Sequence, residues 1–295
     1  TPIERLRQMN PGAIDLYRER DIDVTAEPLE IAVCAQHNNG GLAGNHWWES
    51  VNVKHLFPVG EVNGSHGVYR PGGAALNSGQ VGGLRAAQFI SAKYSGNPKT
   101  PGEFLDKISG VLEKKIELIR DLVERSKPGS VDIETIRGEI QDRMTKYGAH
   151  IRSGNGVARA TAEARRLCEY LPRTLTISSR DELPGALRLI HLAKTHLVYL
   201  EAMREYIDRG GGSRGSSLVL DHDGVLPCPG FREEWSYRPF CGSFFGRICE
   251  TTIEDGEIVH RWLDTRPIPV EPGWFEQIWR EYRDGGFDWA DANVK

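Results

Sequence analysis

HGVYRPGGAALNSGQVGGLRAAQ, residues 66–88, places an arginine and two glycine pairs at the head of what reads as a helix. Glycine lets a backbone come close to a neighbour or a ligand. A helix N-terminus offers unpaired N–H groups and the positive end of its dipole. The arrangement suits an anionic or electron-rich ligand. It equally suits a tight turn that joins a strand to a helix. The residues on either side decide between the two.

Upstream, Glu30 to Ala35 is a short apolar run that reads as a strand, and Gln36 to Asn45 is a loop rich in glycine and asparagine. Val53 to Val62 reads as a buried strand that ends at Gly60-Glu61. Thr1-Pro2-Ile3-Glu4 has the form of a capping box that opens a helical stretch to Arg20, broken near Asn10-Pro11. Downstream, the helix headed by residues 66–80 runs from about Val81 to Lys93, and SGNPKTP (95–101) marks a boundary.

Beyond that boundary the pattern changes. Phe104, Ile108, Val111, Leu112, Ile116, Ile119 and Leu122 fall at three- and four-residue steps, so Gly102 to Arg125 is a helix. Helices follow at 131–147, 156–170 and 182–209, and together they read as a bundle. The tail from Ser216 is mixed and rich in tryptophan. Asp255-Gly256 marks the turn of a hairpin within 250–262. The tryptophans of the tail are expected to pack on the bundle.

Composition excludes several classes. A net charge of −4 gives no nucleic-acid or membrane surface, and no apolar run approaches the length of a membrane span. No basic-then-apolar leader opens the residues, so a retained signal peptide is not expected. The five cysteines are odd in number and widely spaced, without C-x-x-C, which disfavours a zinc ribbon or iron–sulfur site. Reduced, mostly buried thiols in a cytoplasmic protein are expected. No H-x-x-x-H or H-E-x-x-H occurs, so a metal site is not indicated. Gly210, Gly212 and Gly215 fit G-x-G-x-x-G but follow a long helix instead of a strand, and they read as a helix stop.

One ordered set stands above this background. A polar His37-Asn38-Asn39-Gly40-Gly41 loop is followed by Gly60-Glu61, then by His66, Arg70, Gly72 and Gly73 before a helix. An arginine fork binds a carboxylate, a helix head stabilises negative charge on an electron-accepting ring, and a carboxylate at a strand end can hold ribose hydroxyls. The set suits a site that joins a flavin nucleotide to a carboxylate-bearing substrate.

LFPVGEVNGSHGVYRPGGAAL (56–76) resembles the second flavin-binding segment of the succinate dehydrogenase/fumarate reductase flavoprotein family, which shows G-E and then H-G-x-x-R-x-G-G-x-x-L. QHNNGG resembles the family's histidine–glycine–glycine loop, Arg85-Ala86-Ala87 its G-R-A-A helix, and Ser213-Arg214-Gly215 its S-R-G motif after the helical domain. Two departures stand out. The histidine loop is one residue shorter, which also lets Gln36 take the place of His37, and Ala74-Ala75 replace the usual N-S.

The resemblance implies the C-terminal half of an FAD-dependent oxidoreductase. Its fold class is α+β: a remnant of an FAD-binding α/β domain, then a helical bundle and a small mixed C-terminal region. The implied segments are the end of a capping domain (1–36), the C-terminal segment of the FAD-binding domain (37–97), the bundle (98–215) and the mixed region (216–295). His37, Arg70 and Arg214 are expected to be catalytic. Glu61, Gly72, Gly73, Ala75 and Leu76 are expected to bind FAD. The implied chemistry is hydride transfer between flavin and a small carboxylate. The implied partners are an electron-transfer protein and an N-terminal FAD-binding half or subunit. A non-catalytic scaffold descended from such an enzyme, and a small-molecule binding module without redox chemistry, remain the alternatives.

Overall fold

A computed structural model of the chain describes residues 1–29, 39–66, 73–96, 99–215, 217–265, 267 and 269–285. The expected strand at 30–35 and Trp289 lie outside the described residues. The chain divides into two compact units, Thr1–Gly82 and Gly83–Lys295.

In the first unit, helix α1 (Pro2–Met9) opens on the capping box read from the sequence. The Thr1 hydroxyl accepts from the Glu4 amide, and the Glu4 carboxylate pairs back onto the N-terminal amine at 2.6 Å. Pro11 then starts α2 (Pro11–Arg18), whose Ile14 is buried. The expected strand over 53–62 does not form. Val51, Val53 and Leu56 are exposed, and only a 3-10 turn at Gly60–Val62 follows. A strand needs a partner for its ladder, and here the backbone instead bonds to side chains of its own loop. Helix α3 (Ala74–Lys93) begins seven residues earlier than its apolar pattern suggests, because its first turns are small and polar residues without periodicity.

The second unit is the bundle. Helix α4 (Pro101–Glu124) opens on a capping box between Thr100 and Glu103. Helices α5 (Asp132–Arg143), α6 (Gly154–Thr174) and α7 (Leu183–Asp208) follow. Leu122, Ile133, Ile140, Leu167, Leu171, Leu175, Ile177 and Leu189 form the main core. Ala160 and Ala164 of α6 meet Leu197 and Leu200 of α7, and the small side chains let the two helices pack closely. Between α5 and α6 the chain makes a π-helical turn at Met144–Gly148.

Two small sheets complete this unit. Strand β1 (Ile151–Ser153) pairs in parallel with β2 (Leu218–Val225), with Ile151 opposite Leu218. Strands β3 (Arg247–Glu254) and β4 (Glu257–Asp264) form the hairpin expected at Asp255-Gly256, both of which adopt positive φ. Trp262 donates from its indole to Glu205 at 2.9 Å, which fixes the hairpin on α7. Trp274 and Trp279 differ from the expected packing on the bundle: both are exposed on α8 (Trp274–Arg283).

Candidate functional site

The glycine-rich stretch is held by backbone contacts that no side chain could tolerate. Gly41 carries a φ of 157°, and a Cβ there would stand 2.1 Å from the Val62 carbonyl oxygen. The Leu42 amide donates to that carbonyl at 2.8 Å, and the Gly64 amide donates to the Leu42 carbonyl at 3.0 Å. The end of the histidine loop, Gly40-Gly41, therefore lies beside the turn that carries Glu61. Gly44 makes the same kind of approach to buried Asn63, with 2.5 Å from its ideal Cβ to Asn63 Nδ2.

Side chains close the rest of the loop. Asn45 Oδ1 accepts from the amides of Trp47 and Glu49. The buried Glu49 carboxylate accepts from the His55 amide at 3.1 Å and pairs with Lys54 at 3.3 Å. Trp48 and His55 both adopt positive φ, which bulky residues hold only when the surroundings fix them.

This loop meets α3 at glycines. Gly60 has a φ of 77° and its ideal Cβ lies 3.5 Å from the Gly79 Cα. The Trp48 indole occupies the space beside Gly82, at 2.7–2.9 Å from an ideal Cβ. His66 Nε2 lies 3.0 Å from Ser78 Oγ, which ties the start of residues 66–73 back to the second turn of α3. Glu61, exposed on its 3-10 turn, is thus held near the first turns of that helix.

Of the expected site residues, His37, Arg70 and Gly72 lie outside the described residues. Gly73, Ala75 and Leu76 form the head of α3. Nothing among the described residues comes within 4 Å of a Cβ placed on Gly73, Ala75 is half-buried, and Leu76 is 80% exposed. The first four amides of a helix have no partner within it. The head of α3 therefore presents donors, the positive end of a dipole and an apolar side chain in one place. A flat, electron-rich ring fits this set: donors for its polar edge, and Leu76 for its face.

Arg214 lies in the second unit. There Gly212 approaches Pro239, with 2.1 Å from an ideal Cβ to its carbonyl oxygen, and Ser213 accepts from the Val219 amide at 2.9 Å. Gly212 and Ser213 lock the turn after α7. Arg214 is exposed and its guanidinium sits over Phe240 at 5.1 Å and Phe245 at 5.9 Å. Also in this unit, a cleft of about 670 Å³ opens at the head of α6, lined by Ser153, Asn155, Asp221, Glu233, Glu234 and Arg238. None of the expected site residues lines it. Among the described residues, no group of three or more His, Cys, Asp or Glu could hold a metal ion.

Gly41, Gly60 and Gly82, which stand in the motifs read from the sequence, build the site together with Gly79 and Trp48, which the sequence reading did not single out. For Gly79 the available signal was the Gly79-x-x-Gly82 spacing in a segment that is helical.

No family profile matches the chain. One chain of the fumarate reductase (CoM/CoB) of Methanothermobacter marburgensis is 32% identical over 151 residues, which is 51% of this chain and 26% of that protein. The chain is related to the fumarate reductase/succinate dehydrogenase flavoproteins. An uncharacterized FAD-dependent oxidoreductase of Methanocaldococcus jannaschii is 28% identical over 140 residues, 47% of this chain and 24% of that protein. Each match thus spans about a quarter of the relative's length. Among solved structures, E. coli quinol fumarate reductase FrdA shares the fold at a TM-score of 0.65 and 21% identity, over 90% of this chain and 43% of that one. Among the described residues, no helix is long and apolar enough to cross a membrane.

Proposed function

We propose that the chain is the C-terminal portion, or a subunit, of a cytoplasmic FAD-dependent oxidoreductase acting on a small carboxylate. The observation that carries this is the head of α3: the N-terminal end of a helix, a Gly73 with nothing within 4 Å of its ideal Cβ among the described residues, and an exposed Leu76, with Glu61 held nearby by the Gly60–Gly79 contact. The names of the relatives support the flavin and the redox chemistry. The flavin, when bound, supplies the hydride acceptor or donor.

This chain's own residues then have distinct tasks. The amides around Gly72, Gly73, Ala75 and Leu76 hold the polar edge of the ring and favour negative charge there. Glu61 accepts hydrogen bonds from ribose hydroxyls. Arg70 clamps the substrate carboxylate with its planar fork, and His37 hydrogen-bonds the substrate. Arg214 acts as a further cation toward the substrate. The pyrophosphate is held by residues outside this chain, on an upstream segment or a partner subunit. The four segments 1–36, 37–97, 98–215 and 216–295 are its capping, flavin-binding, helical and C-terminal parts. An electron-transfer protein completes the cycle.

The test is purification from the native source, with a visible spectrum and the masses of all co-purifying chains. A flavin spectrum, with turnover lost in an Arg70→Ala variant, supports the proposal. A colourless protein whose biological role survives Arg70→Ala overturns it in favour of a non-catalytic scaffold.

A further inference from the structure

Four of the six residues from 210 to 215 are glycine, so the turn that carries Arg214 has little stiffness of its own. Its order must come from contacts across it. The Arg214 guanidinium makes no hydrogen bond or ion pair among the described residues and lies over the faces of Phe240 and Phe245. The residue that spans the turn is Arg238, whose side chain is 35% exposed. Its Nε donates to the Asp221 carboxylate on β2 at 2.7 Å. Its Nη1 donates to the Ile207 carbonyl at 3.2 Å and reaches that of Gly211 at 3.5 Å. Ile207 lies in the last turn of α7, so the cation meets the negative end of the helix dipole. The Arg238 main chain adds two bonds: its carbonyl accepts from the Ser213 amide at 2.7 Å, and its amide donates to the Val219 carbonyl at 2.9 Å. These contacts fall before the turn, within it and after it. Phe240, the nearer ring to the Arg214 guanidinium, follows Arg238 by two residues.

We infer that Arg238, anchored on Asp221, is the positioning residue that fixes the Arg214 cation. The planar fork suits the task, because one nitrogen holds a carboxylate while another reaches the end of a helix. A lysine ammonium, a single point of charge, cannot serve both. The Arg238 hydrogen bond holds the Asp221 carboxyl below the usual carboxylate range, so the anchor survives mild acid. The inference rests on the functional reading above, in that Arg214 serves there as a cation toward the substrate.

The test uses the full chain expressed in its native source with 4-fluorophenylalanine in place of Phe245, whose fluorine resonance reports the cation over that ring. Arg214→Ala gives the resonance without the cation. Arg238→Gln should move the signal about half of the way to that position or more, and Arg238→Lys should move it less. Should Arg238→Gln fail to fold, Asp221→Asn, which keeps the arginine and weakens its anchor, is read in the same way. A native resonance in the folded variant overturns the inference, whatever its melting temperature, because an arginine that only stabilises the bundle leaves the cation where it was. Fumarate turnover by the flavin-loaded protein is a separate arm. Arg214→Ala and Arg238→Gln should each raise KM about tenfold or more, with kcat changed less than about threefold. An unaltered KM in Arg214→Ala, or no turnover by the unsubstituted protein, sinks the functional reading alone, and the fluorine signal then decides the positioning role by itself.

Discussion

The Trp48 indole fills the space that a side chain on Gly82 would need, since an ideal Cβ there stands 2.7–2.9 Å from the ring carbons. Alanine is the better helix former by about 1 kcal/mol, but crowding a fixed indole costs about 1–3 kcal/mol. Gly82→Ala should therefore destabilise the chain despite its propensity. Gly110→Ala on α4, where nothing lies within 4 Å of the added carbon, should stabilise it by about 0.5–1 kcal/mol. Thermal denaturation of the two variants, side by side, checks the opposite signs.

His196 is 3% exposed on α7, and neither ring nitrogen has a hydrogen-bond partner among the described residues. Burial, and then the Arg143 cation, pull its pKa down to about 4 from the ordinary 6.5. The unfolded chain thus binds a proton that the folded chain rejects. Stability from this group is complete above about pH 6.5 and falls as pH drops toward 4. The loss is on the order of 2–3 kcal/mol. His196→Leu should flatten the dependence of denaturation midpoint on pH across that window. An unchanged slope would show that other groups govern it.

The thiols should differ in reactivity. The Ser243 hydroxyl, 2.9 Å from the Cys241 sulfur, and then the Ser243 amide hold the Cys241 pKa below the ordinary thiol value. Burial pushes Cys168 and Cys249 up. Cys228 and Cys241 are exposed and Cys168 and Cys249 are half-buried, so the described thiols depart from the mostly buried set expected from the sequence. Timed alkylation near pH 7.5, followed by peptide mass spectrometry, should label Cys241 ahead of Cys168 and Cys249.

Removing the His66–Ser78 contact should loosen the head of α3 without unfolding the chain. Ser78→Ala costs about 1 kcal/mol at most. If the flavin reading holds, the same variant of the flavin-loaded protein should release its flavin several-fold faster, as followed by fluorescence after dilution. A release rate equal to that of the unsubstituted protein would leave His66 no positioning role.

The bundle was legible because apolar residues recur at three- and four-residue steps within its helices, as from Phe104 to Leu122. Thr1-Glu4 and Asp255-Gly256 were legible because caps and hairpin turns demand particular residues at fixed offsets. The loop over 39–66 was not. Its order comes from Asn45 and Glu49 bonding to backbone, and from glycines that allow close approach, none of which leaves a period. Helix α3 started earlier than read because Ala74 to Gly79 carry no large apolar residue besides Leu76. The parallel β1–β2 pair was missed because three residues, joined across a long span of sequence, form no pattern. His66 and Glu61 were found by spacing to Gly60 and Gly72-Gly73, but their contacts through Ser78 and Gly79 needed coordinates.

That β1–β2 pair closes a long loop. Ile151 lies just ahead of α6 and Leu218 lies beyond α7, so their pairing holds the two ends of the helical pair together and carries the entropic cost of closing all that lies between. Arg214 sits four residues ahead of Leu218, next to the point that this closure holds, and its guanidinium lies over Phe240 and Phe245.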